Sequence, residues 1–163
     1  MFFGIPIGSF VFVHTLITLV AIVAGLIMLA GMLRNARQDS VHAIFLLFSV
    51  LTAITGFVIQ VSPVTPAVIV GGVLSILLAI ALAARYVGGM AGAWRWIYVV
   101  TAVASLYLNC FVLVVQSFLK VPALHRLVPS VPPAGPIFGG TQAVVLIAFV
   151  IAGVFAVRRF RPR

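Results

Sequence analysis

Acidic residues are almost missing from this chain. Asp39 is the single carboxylate side chain among 163 residues, and there is no glutamate. Paired-carboxylate hydrolysis is thereby excluded. Proton-coupled transport loses the intramembrane carboxylate on which it usually depends. Cysteine is nearly absent too: Cys110 stands alone, so neither an intrachain disulfide nor dithiol redox chemistry is available. Inside its apolar run, Cys110 reads as a small buried hydrophobe. Histidine is limited to His14, His42 and His125, and nothing local resembles a nucleophile elbow. The first residues contain neither Lys nor Arg, and the first arginine is Arg34. A signal peptide begins with a basic segment, so the first apolar run reads as a retained helix. The expectation is a protein without catalytic machinery and without a metal site.

Charge of either sign is scarce. Charged residues are 7% of the chain and hydrophobic residues 64%, whereas soluble domains are about a quarter charged. A water-soluble fold could not cover so much apolar surface. The net charge of +9 would suggest a nucleic-acid partner in a soluble protein. Here the basic residues sit at the ends of apolar runs, which is how membrane proteins set their orientation, and no nucleic-acid partner is expected.

What the chain has in abundance is apolar runs of spanning length, which takes about 20 residues. Five are present, at about 10–33, 42–61, 66–87, 94–119 and 141–158. The predicted fold is an all-α, polytopic transmembrane bundle forming one domain over residues 1–163. Between the runs, 34–40 is a polar hairpin loop with Ser40 placed to cap the second helix. Residues 62–66 form a proline turn, and Gly88 and Gly89 end the third helix. The segment 120–140 holds five prolines and three glycines and reads as an extracytoplasmic loop, with one short interfacial turn from Pro122 to Val128.

With the N-terminus outside, the inner side carries Arg34, Arg37, Arg85, Arg95, Arg158, Arg159, Arg161 and Arg163, and the outer side only Lys120 and Arg126. This bias predicts N-terminus out and C-terminus in. Trp94, Trp96 and Tyr98 then lie where an aromatic belt belongs, and the C-terminal arginines meet anionic headgroups of the membrane lipids. A reporter fused after Arg163 is expected to read cytoplasm, and one inserted near Pro132 the outside. The opposite pair of results would overturn the orientation.

Small and polar residues mark helix-packing faces, because lipid gives no hydrophobic drive for association. Gly71, Ser75, Ala79 and Ala83 recur every four residues in the third span, and Ala148, Ala152 and Ala156 in the fifth. In the fourth, Thr101, Ser105, Asn109, Gln116 and Lys120 make one polar stripe, which should not face lipid. His14, Gln60, Asn109, Gln116 and Lys120, with Gln142, converge toward the outer half. They read either as interhelical hydrogen bonding or as a binding site. No cofactor is required. A quinone head group, which needs a couple of hydrogen bonds in an apolar cleft, is the alternative, and haem, which would need His14 and His125 to face each other, a weaker one.

The stretch from Ala91-Gly92-Ala93-Trp94-Arg95-Trp96-Ile97-Tyr98 through Leu106-Tyr107-Leu108-Asn109 to Val115-Gln116-Ser117-Phe118-Leu119-Lys120-Val121-Pro122-Ala123-Leu124 resembles a family of uncharacterised small bacterial inner-membrane proteins. The resemblance is specific over the fourth span and its exit. It departs from that family's pattern in having no histidine near Gly89. It implies a bacterial inner-membrane location and brings no activity with it. The leading expectation is an accessory or structural subunit that meets other membrane subunits or copies of itself.

Overall fold

A computed structural model describes residues 7–59 and 65–161. Its regular elements are all helical: α1 (Ile7–Leu33), α2 (Asp39–Ile59), α3 (Pro66–Leu82), α4 (Ala93–Lys120), α5 (Pro122–Leu127) and α6 (Pro136–Arg159). A π-helical turn, Ala83–Val87, continues α3. Among the described residues, α1, α2, α3 with its π turn, α4 and α6 are long and apolar enough to cross a membrane. The protein is a five-span helical bundle.

Two helix starts differ from the reading of the sequence, each for a local reason, and α3 ends where expected but in an unexpected form. α2 begins at Asp39, so Asp39 lies in its first turn and Ser40 within the helix. The His42 amide donates to the Gln38 carbonyl at 3.0 Å, which closes that turn. A carboxylate is favoured there by the helix dipole. α6 starts at Pro136 rather than near Thr141, taking Gly139 and Gly140 into the helix. Proline suits the first helical position, where its missing N–H costs nothing. The glycines follow because a membrane helix must satisfy its own backbone. The end of α3 is wider than an α-helix: the Gly88 amide donates to the Ala83 carbonyl at 2.9 Å, an i to i−5 bond. The connection to α4 then passes through Gly89, Met90 and Gly92, all at positive φ. The short helix over Pro122–Leu127 is present, with proline in its first turn.

α4 is the hub of the bundle and touches every other helix of the described chain. α1 pairs most extensively with α2, α3 lies against α4 and α2, and α6 rests on α4 with a smaller contact to α1. The core runs along α4 through Tyr98, Val99, Ala102 and Leu106. It is completed by Met28 and Met32 of α1, Phe45 and Leu46 of α2, and Leu74, Leu78 and Ala81 of α3. Burial is uneven: 44% of the most apolar stretch of α1 and of α4 is buried, but only 11% of that of α6.

Candidate functional site

The polar residues expected to converge in the outer half are only partly brought together. His14 on α1 is half-buried, and its Nδ1 shares a 2.6 Å hydrogen bond with Thr55 Oγ1 on α2. Gly56 lies opposite the same ring, where a Cβ would make an ordinary contact at 3.6 Å. Asn109 is buried, and its Nδ2 donates to Ser49 Oγ on α2 at 3.2 Å. Gln142 on α6 is buried and donates to the Phe111 carbonyl of α4 at 3.2 Å. Gln116 and Lys120 share the α4 stripe but are exposed, because the bundle opens toward this end. Gln60 lies outside the described residues.

The small-residue positions of α3 are also divided. Gly71 sits over the ring of Phe57 on α2. Ser75 returns its hydroxyl to the Gly71 carbonyl of its own helix at 2.9 Å. Ala79 is exposed and Ala83 half-buried in the π turn. The inward face of α3 is instead Leu74, Leu78 and Ala81. On α6, Ala148 is exposed, Ala152 half-buried and Ala156 buried.

The densest polar cluster lies at the opposite, arginine-rich end. His42 is 1% exposed, and its Nδ1 shares a 2.7 Å hydrogen bond with the hydroxyl of Tyr98, itself fully buried. The imidazole is stacked between Tyr98 and Phe160, with both ring centroids 5.6 Å away. Arg85, whose side chain is 8% exposed, reaches Asp39 Oδ1 at 3.0 Å and the Asp39 carbonyl at 3.3 Å. Its guanidinium also lies over the Tyr86 and Tyr98 rings, 5.6 and 5.7 Å from their centroids, where the ring quadrupole attracts a cation. Arg37 takes the other carboxylate oxygen at 2.7 Å on the exposed side. Arg95 Nη1 donates to the Val157 and Phe160 carbonyls, each at 2.7 Å, closing the C-terminus of α6 where cations are favoured. Asn35 Oδ1 accepts from the Arg161 amide at 2.7 Å. The only carboxylate side chain of the protein thus joins α2 to α3, and aromatic and arginine contacts add α1, α4 and α6.

Chemically, this cluster is a lock. Its carboxylate is held by two guanidinium groups, and the His42 ring is held by the Tyr98 hydroxyl and two flanking rings. One ring nitrogen of His42, Nε2, is buried without a partner among the described residues, as are Nε of Arg85 and the side-chain oxygen of Gln38. The sequence signal for the cluster was present but indirect. Arg85 falls within an apolar spanning run, and a charge so placed needs a partner. The one carboxylate of the chain, Asp39, was therefore a candidate partner, beside backbone carbonyls of the kind that hold Arg95. His42 and Tyr98 are 56 positions apart and carry no spacing signal.

No match emerges from comparison of the chain with protein-family models, curated proteins or solved structures. The geometry alone carries the functional reading.

A stability test follows from the stripe on α4. Asn109→Leu is expected to lower the stability of the protein in detergent by about 0.5–2 kcal/mol, because it removes the bond to Ser49 and leaves that hydroxyl facing a leucine. Thermal unfolding measures it. A clear stabilisation would mean that this face of α4 is open to lipid.

Proposed function

We propose that this chain is a non-catalytic, multi-pass protein of the bacterial cytoplasmic membrane that serves as an accessory or structural subunit of a larger membrane complex. One observation carries the reading: the buried polar side chains bind one another, while α6 leaves most of its surface uncovered. His14 with Thr55, Asn109 with Ser49, Gln142 with the Phe111 carbonyl, and His42 with Tyr98 each join two helices. The hydroxyls of Thr18, Thr52, Ser75, Thr101 and Ser105 return to carbonyls of their own helices. Polar groups spent in this way hold a bundle together and offer little to a substrate. On α6, by contrast, Gly139, Gly140 and Ala143 are exposed, and small residues on an open helix face allow a neighbouring helix to approach closely.

Native mass spectrometry of protein purified in mild detergent tests the proposal. The expected result is a dimer or a co-purifying membrane subunit. A strictly monomeric species without a protein partner would overturn it. The second reading, a site for a quinone or another lipid-soluble molecule in the outer half, draws on Gln116 and Lys120. Both are exposed at the outer end of α4, and the charge of Lys120 is within electrostatic reach of His14. Solvent extraction of natively purified protein with an optical spectrum separates the two, since a stoichiometric quinone or haem would favour the second.

A further inference from the structure

A groove of about 390 Å³ runs between α4 and α6, within the range of about 300–1,000 Å³ usual for ligand sites. Val100, Val103 and Tyr107 of α4 line one wall, Val150 and Gly153 of α6 the other, and Arg158 stands at one end. Apart from Arg158 and the Tyr107 hydroxyl, its lining side chains are apolar. We propose that this groove is a binding site for one anionic phospholipid, with an acyl chain between the helices and the phosphate on Arg158. The proposal goes beyond the accessory role and does not depend on it, since a monomer could hold such a lipid equally well.

Three observations choose this occupant. The first is length. Along α4 the lining covers Val100 to Tyr107, about 10 Å at the helical rise, and along α6 Leu146 to Arg158, about 18 Å. One leaflet is about 15 Å deep, half of a hydrocarbon core of about 30 Å. The groove therefore begins at one membrane surface and ends near the midplane, which suits an acyl chain. The second is charge. Arg95 is held by the Val157 and Phe160 carbonyls, and Arg159 lies over Phe155 and reaches the Leu33 carbonyl. Arg158 is exposed and makes no hydrogen bond or ion pair with the described residues, so it is the cation left at the mouth. The third is the wall itself: Tyr107 packs against Phe149, with centroids 5.8 Å apart, so aromatic rings line the end of the groove away from Arg158.

The test is native mass spectrometry of the delipidated full-length protein, titrated in detergent with dioleoyl phosphatidylglycerol or dioleoyl phosphatidylcholine. Wild type should bind one phosphatidylglycerol per chain, about fivefold more tightly than phosphatidylcholine, as one arginine near a headgroup contributes about 1 kcal/mol. Arg158→Gln should abolish that preference while keeping acyl-chain binding. Gly153→Leu on α6 and Ala104→Phe on α4 each fill the slot and should abolish binding of both lipids. A Cβ at Gly153 would meet only Val103, at an ordinary 3.4 Å, so the first should fold; the second approaches from the other wall, and each variant's melting temperature is compared with wild type. Equal binding of the two lipids by wild type, or unchanged phosphatidylglycerol binding by a folded slot-filling variant, overturns the proposal. So does a dimer that survives delipidation and is broken by Gly153→Leu, because a second copy would then own the groove.

Discussion

Tyr98→Ala should lower the unfolding free energy of the detergent-solubilised protein by about 3 kcal/mol. That is the lower end of the range for truncating a buried aromatic side chain. The lower end applies because lipid or detergent tails are as apolar as the core, which leaves lost packing as the main contribution. Tyr98 is fully buried at the meeting point of the bundle, with its hydroxyl toward His42 and Met28 and its ring under Arg85. Tyr98→Phe separates the two parts of that role. It keeps the ring and removes the hydroxyl, so His42 Nδ1 joins Nε2 in having no partner among the described residues. The expected loss is about 1 kcal/mol. Tyr86, 62% exposed, is the control: Tyr86→Ala loses its contact with Arg85 and should lower stability by no more than about 1 kcal/mol. Thermal or denaturant unfolding followed by tryptophan fluorescence reads all three. If Tyr98→Ala unfolded at the wild-type midpoint, the arginine-rich end would not be the locked end.

The second large effect is expected at Gly25 on α1. A Cβ at this position would overlap side-chain carbons of Leu106 and Phe45, both fully buried. Neither neighbour can swing into open space, so Gly25→Leu must push α1 away from α2 and α4. Overpacking of this kind costs about 1–3 kcal/mol and occasionally more. A Cβ at Gly72 in α3, by contrast, would meet nothing within 4 Å. Gly72→Ala should therefore be neutral or stabilise by up to about 1 kcal/mol, since alanine is the better helix former. Equal melting temperatures for Gly25→Leu and Gly72→Ala would mean that α1 does not approach α4 so closely.

The spans were legible because each is an apolar run broken by charge, proline or glycine, and length alone identifies such runs. Which face of each helix turns inward was legible only where polarity marked it. Thr101, Ser105 and Asn109 cannot sit comfortably in lipid, and all three are buried on α4. Gln116 and Lys120 continue the same stripe, yet they stand exposed; helical spacing cannot say where along its length a bundle opens. On α3 no such mark exists. Leucine is as content against lipid as against protein, so nothing in the sequence singles out Leu74 and Leu78 over the small residues beside them. The polar cluster at the arginine-rich end was hidden differently. Asp39 read as a loop residue, and only the helical turn that includes it brings its carboxylate to Arg85.

The π turn at the end of α3 carries a consequence for how this chain can change over generations. A turn closed by an i to i−5 bond holds one residue more than an ordinary one. Here the wider turn gives both Ala84 and Arg85 to the protein side. Loss of a single codon between 83 and 87 would restore a regular helix, leaving Leu74, Leu78 and Ala81 on their face and the glycine connection to α4 intact. The turn can therefore lose that extra residue without disturbing the helix before it or the connection after it.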